Sequence, residues 1–188
     1  MPGYRAAHVY PLKPDLAKAR QLIAAAHAAG STAVLYTLDS YPGPEQAQIV
    51  KNDLAQIGIR VQVQTFPSDT FFSLLAKPGE PFDLAYSGWE ADYPDPFDFL
   101  NLLLDDTSNA PTLKDPVDQR RLAAAARLSG PQRYLTYGAL DLDLARDAAP
   151  LAAFGNGSSH DFFSTRIGCQ TFGIYGMDLA ALCTRSAR

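Results

Sequence analysis

Hydrophobic positions along this chain recur first at helical spacing, then at strand spacing, then again at helical spacing. Leu16, Ala19, Leu22, Ile23 and Ala26 fall on one face of a helix. Pro14 suits its first turn and Asp15 the positive end of its dipole, and Gly30 is placed to close it in a left-handed conformation. Residues 33–38 are an apolar run of strand length, broken only by Thr37, as expected of a strand buried on both faces. Pro42-Gly43-Pro44-Glu45 turns the chain into a second helix, with Ala47, Val50, Leu54 and Ile57 as its stripe and Gly58 as its stop. Ile59, Val61 and Val63 then alternate with Arg60, Gln62 and Gln64, the pattern of a half-exposed strand. Strand, helix and strand in this order predict a parallel pair with a right-handed crossover.

The pattern continues with a short helix at 68–76, for which Ser68 is the expected N-cap, and a strand at 82–87. A helix at 97–104 follows Pro96, and a polar loop covers 105–114. Helices at 116–129 and 131–148 are split by Ser129-Gly130-Pro131, and Pro150 ends the second. A short strand is expected at 151–154. Gly155-Asn156-Gly157-Ser158-Ser159 breaks the chain, and strand-like pieces follow at 160–164 and 171–175. The fold class is α/β.

Charge narrows the function classes. The 188 residues carry a net charge of −4, and Lys and Arg nowhere cluster into a phosphate-binding run. Arg120, Arg121 and Arg127 share one predicted helix, but Asp115 and Asp118 lie beside them, so a solvated face is expected rather than a nucleic-acid surface. No apolar run approaches the roughly 18 residues of a membrane span. Met1-Pro2-Gly3-Tyr4-Arg5 has no basic segment leading into an apolar core, so read alone it points to no export signal.

Candidate chemistry is sparse. His8, His27 and His160 are scattered, and none has a second His or Cys at ligand spacing, so neither a zinc site nor any other metal or cofactor is expected. Ser158-Ser159-His160-Asp161 reads as a polar turn, because catalytic triads are assembled in space rather than along the chain. Neither glycine-rich phosphate motif is present. Asp92, Asp95 and Asp98 recur every third residue, but the prolines between them point to turn chemistry rather than a calcium loop. From residue chemistry alone Asp92 reads as a turn former and Trp89, the only Trp, as a core residue.

The stretch from Phe82 to Pro96 runs Phe-Asp-Leu-Ala-Tyr-Ser-Gly-Trp-Glu-Ala-Asp-Tyr-Pro-Asp-Pro. Its apolar start and proline-rich end put an aromatic and several carboxylates in a loop at the end of a strand, where open α/β sheets bind ligands. The stretch resembles a signature of the family 5 extracellular solute-binding proteins, the oligopeptide-, dipeptide- and nickel-binding receptors of ABC importers. Residues 14–22, residues 52–61 and Ala148-Ala149-Pro150-Leu151 resemble further parts of that family.

The resemblance implies the C-terminal lobe of a type II periplasmic-binding-protein-like fold, a mixed sheet flanked by helices. It implies an extended lead-in over 1–12, a ligand-binding lobe over 13–155 and a return segment over 156–188 that completes the other lobe. It also implies an exported, envelope-attached, non-enzymatic parent of which this chain is the C-terminal part, with ABC permease subunits as partners and a small solute, most plainly a peptide, as ligand. In Gly88-Trp89-Glu90-Ala91-Asp92, the acid stands where several such receptors pair with the α-amino group of a bound peptide. Gly88, Trp89, Glu90 and Tyr93 complete the implied ligand set. Because the family is exported, the resemblance also favours a disulfide between Cys169 and Cys183 over two free thiols. The alternatives are an interaction module that uses the aromatics of 160–175, or a hydrolase without a visible base.

Overall fold

The computed structural model describes residues 1–11, 13–105, 113–158, 160–173 and 176–185. The chain divides into two compact units, His8–Trp89 and Met1–Ala7 together with Glu90–Arg188.

The unit His8–Trp89 is built on the predicted βαβ motif. Helix α1 spans Leu16–Ala25, strand β1 Thr32–Leu38, helix α2 Gly43–Gln56 and strand β2 Arg60–Phe66. Helix α3 (Ser68–Leu75) and strand β3 (Leu84–Ala85) complete it. The sheet order is β2-β1-β3, and both pairings are parallel. The central position of β1 explains its unbroken apolar run, with Leu35, Tyr36 and Thr37 all buried in succession. Leu35, Ala47 and Val61 form the core between α2 and the sheet, and Val50, Leu54 and Val63 pack against it. The Tyr36 ring meets Phe66 and Phe82 at 4.8 and 5.2 Å, and its hydroxyl donates to Glu80 Oε1 at 3.0 Å.

Several local expectations are corrected. Helix α1 ends before Gly30: His27 takes the left-handed position (φ 52°), donating to the Ala24 carbonyl at 3.0 Å, and the Ala28 N–H reaches the Ile23 carbonyl at 2.9 Å. The Gly30 N–H bonds instead to the Gly58 carbonyl at 2.8 Å. Gly58 (φ 88°) closes α2 as predicted, with Ile59 N–H on the Leu54 carbonyl at 3.0 Å. Ser68 is the first helical residue of α3 and not its cap; Pro67 holds the cap position without a side-chain bond. The strand expected at 82–87 shrinks to Leu84–Ala85, and at its start the Asp83 carboxylate takes the Val34 N–H at 2.7 Å.

The second unit is mainly helical. It contains α4 (Phe97–Leu104), α5 (Pro116–Ala126) and α6 (Gly130–Asp143). Its core is Leu104, Leu113, Leu122, Ala125, Tyr137, Leu140 and Leu144, with Phe97, Leu100 and Leu103 packed against it. The last predicted helix does not stay regular to residue 148. It widens into a π-helical turn at Leu144–Ala148 and leaves through Ala149 at φ 43°, since the residue before Pro150 is kept out of the helical region. Residues 151–154 form no strand, and neither do 160–164. Among the described residues the tail instead holds the two-residue strands β4 (Ile167–Gly168), β5 (Phe172–Gly173), β6 (Gly176–Met177) and β7 (Cys183–Thr184). Strand β4 pairs antiparallel with β7, and β5 with β6. Cys169 and Cys183 form a disulfide with Cα atoms 5.4 Å apart. Residues 174 and 175 of the expected piece at 171–175, and 106–112 of the polar loop, lie outside the described residues.

Candidate functional site

The carboxyl end of β3 is where the candidate segment begins. In the unit His8–Trp89, the Tyr86 N–H still bonds to the Tyr36 carbonyl of β1 at 2.9 Å. After it the chain leaves the sheet through Ser87, Gly88 and Trp89, all exposed. Strand order β2-β1-β3 reverses direction at β1, so this end of β3 lies at a topological switch point. Trp89 is 45% exposed, which excludes the core role that its residue type alone predicts.

In the second unit the loop continues through Glu90, Asp92 and Tyr93, all exposed, into the first turn of α4. The three aspartates at every third position have three different environments. Asp98 is fully buried, and its Oδ2 accepts the Asp92 backbone N–H at 2.7 Å. Asp95 accepts the Phe97 N–H on Oδ1 at 2.9 Å, and its own N–H returns to the Tyr93 carbonyl at 2.9 Å. It also takes a two-pronged contact from Arg133 on α6, Nε to Oδ2 at 2.9 Å and Nη2 to Oδ1 at 2.7 Å. The Asp92 carboxylate is exposed and has no hydrogen bond or ion pair among the described residues. Two acids therefore build the turn and the third is displayed by it.

The electrostatics follow this division. Hydrogen bonds from the Arg133 guanidinium hold the Asp95 carboxyl below the usual carboxylate range, against a smaller opposing effect of burial. Arg133 is correspondingly raised, first by its bonds to Asp95. Partial burial pushes the Tyr93 phenol up, and the neighbouring Asp98 and Asp95 carboxylates add to the effect. The loop thus presents fixed negative charge beside a neutral phenol.

The role of Arg133 leaves no mark in the local sequence, because its partner lies 38 residues away. Arg120, Arg121 and Arg127 form a solvated face, with Arg121 paired to Asp118 at 3.0 Å and to Asp143. Among the described residues no group of three or more His, Cys, Asp or Glu converges as a metal site. A groove of about 540 Å³ along α5 and α6 is lined by Arg5, Leu128, Leu135 and Leu140 among others and includes none of residues 90–98.

A sequence model described as bacterial extracellular solute-binding proteins, family 5 middle, matches residues 1–111. Among solved structures, the chain is similar to the periplasmic binding protein DppA of Helicobacter pylori in complex with the peptide STSA, at 25% identity and a TM-score of 0.65, over 79% of this chain and 30% of that one. It is similar to clavulanic acid biosynthesis oligopeptide binding protein 2 at 27% identity and a TM-score of 0.67, over 79% of this chain and 30% of that one. The fold also matches a dipeptide binding protein from Pseudoalteromonas sp. SM9913 in complex with Met-Leu, at 21% identity and a TM-score of 0.71, over 97% of this chain and 38% of that one. The chain spans about a third of the length of these structures. No curated protein matches it. These relatives are binding proteins by name, and the fold is the α/β fold of type II periplasmic binding proteins. With the family model covering more than half of its length, the chain belongs to the family 5 bacterial extracellular solute-binding proteins.

Proposed function

We propose that this chain supplies part of the extracellular or periplasmic substrate-binding component of an ABC importer, which captures a small solute, most plainly a peptide, and delivers it to the membrane permease. Residues 13–155 would serve as one lobe after the lead-in 1–12, and 156–188 as the segment returning to the other lobe. Two lobes closing around the ligand would be the working motion, favoured by contacts made only in the closed form. No covalent chemistry is involved.

The observation that carries the peptide reading is the Asp92 carboxylate, exposed and without a protein partner among the described residues, on a turn whose other two acids are occupied. A ligand ammonium that loses water on binding needs a fixed carboxylate, and a charge-assisted hydrogen bond is stronger than a neutral one. Gly88, Trp89, Glu90 and Tyr93 belong to the same proposal, in which the two rings would give flat amphipathic walls. The peptides named with the solved relatives are consistent with this chemistry.

The test is a thermal-shift and calorimetric screen of the full-length protein against free and N-acetylated di- to pentapeptides. Stabilisation by free peptides that vanishes on N-acetylation is expected. Asp92→Asn should cost about 2–5 kcal/mol of peptide affinity, as for one partner of a desolvated charge pair. Unchanged affinity in that variant removes the role given to Asp92.

A further inference from the structure

We propose that Arg133 is a positioning residue of the ligand site, acting on Asp92 through Asp95 and the turn between them. The inference rests on the reading of Asp92 as the amine-binding carboxylate. Every side of the Arg133 guanidinium is engaged. Nε and Nη2 grip the two oxygens of Asp95, and Nη1 points at the carbonyls of Ala125, Ala126 and Leu128, at 3.3, 2.8 and 3.2 Å, at the end of α5. Its central carbon also lies 5.0 Å from the centre of the Tyr137 ring and 6.0 Å from that of Phe97. The guanidinium is therefore immobile, fastened to the C-terminus of one helix and the face of another.

Immobility at Arg133 is passed to the loop. The two-pronged contact fixes both position and orientation of the Asp95 carboxylate, which a single-point contact from an ammonium cannot do. Asp95 in turn holds Phe97 N–H and ties its own N–H to the Tyr93 carbonyl, so the backbone on both sides of Pro94 is pinned. The Asp98 contact to the Asp92 N–H then closes the turn from below. An exposed carboxylate gains affinity for a cation only when its direction is set before binding, because ordering it afterwards subtracts from the binding energy. Arg133 touches no proposed ligand atom; it holds the backbone of the turn from which Asp92 projects.

The experiment uses the full-length protein and two variants. Arg133→Lys keeps a cation but loses the fork. Asp95→Asn keeps the three Arg133–carbonyl bonds and one acceptor oxygen but loses the charged two-pronged contact to the loop. Amide hydrogen exchange is read at Asp92 and, as the packing control, at Leu140. The expected result is exchange at Asp92 at least tenfold faster in both variants, with Leu140 unchanged. Unchanged protection at Asp92 overturns the proposal, and so does equal acceleration at Leu140, which would mark Arg133 as a general stabiliser. Titration with trialanine and N-acetyl-trialanine separates this from the amine reading. A wild-type protein that prefers the free amine should lose at least tenfold of that preference in both variants, and a preference left intact overturns the proposal. A wild-type protein that binds the two equally overturns the amine reading, while the exchange data still decide whether Arg133 orders the loop.

Discussion

Single residues in this protein take their roles from partners far along the chain. Asp92, Asp95 and Asp98 look equivalent in sequence, and only the first is left on display. The repeat every third residue was legible as turn chemistry; which acid stays free was not, because it depends on Arg133. Tyr137 shows the same dependence. Its ring is fully buried, and its hydroxyl donates to Asn101 Oδ1 at 2.5 Å, with Asn101 itself buried. Burial pushes the phenol up to about 12. The folded state therefore favours the neutral phenol, so its contribution to stability is complete below pH ~10 and is lost as pH rises from there through about 12. Tyr137→Phe leaves the Asn101 acceptor without its donor and should cost about 1–2 kcal/mol in urea unfolding at pH 7. The same variant should flatten the alkaline fall in stability. A variant as stable as wild type with an unaltered alkaline profile would show that this hydrogen bond is not the one that counts.

Elements were legible wherever periodicity is local. The stripe of α2 and the alternation of β2 gave the βαβ unit, and the two strands are parallel as expected. Element ends were harder to read. Gly30 has the residue type of a helix stop, but α1 stops three residues earlier, and His27 adopts the left-handed conformation that glycine tolerates best. His27→Gly should raise stability by about 1 kcal/mol by removing the side chain's left-handed penalty, partly offset by a freer unfolded chain. Chemical denaturation checks this, and a loss of stability would mean that the imidazole contributes a contact worth more than the strain. At the start of β3 one carboxylate, that of Asp83, competes for a backbone N–H of β1.

For the whole molecule, compactness follows contacts rather than sequence order. Residues Met1–Ala7 join the unit that begins at Glu90, where the Arg5 side chain reaches the Leu135 carbonyl, 130 positions on, at 3.4 Å. A Cβ on Gly138 would sit 2.2 Å from the Gly3 carbonyl oxygen. Gly138→Ala should therefore cost about 1–3 kcal/mol or detach the N-terminal segment from α6, which hydrogen exchange at residues 3–7 would reveal. In the tail, the disulfide closes a loop across a separation of 14 residues, a constraint worth about 3 kcal/mol in the chain-entropy account. Reduction should speed exchange across 167–173 and 176–185 and leave α4–α6 protected; unchanged exchange there would show that the short ladders hold without the bridge. Sequence alone determined the amphipathic faces, the buried central strand, the proline-rich turn and the family, since each is written in neighbouring residues a few positions apart. Only the tertiary structure decided which aspartate remains exposed, where the first seven residues pack, where α1 ends and that the two cysteines meet. Those outcomes depend on the path the chain takes between residues tens of positions apart, and local spacing carries no record of that path.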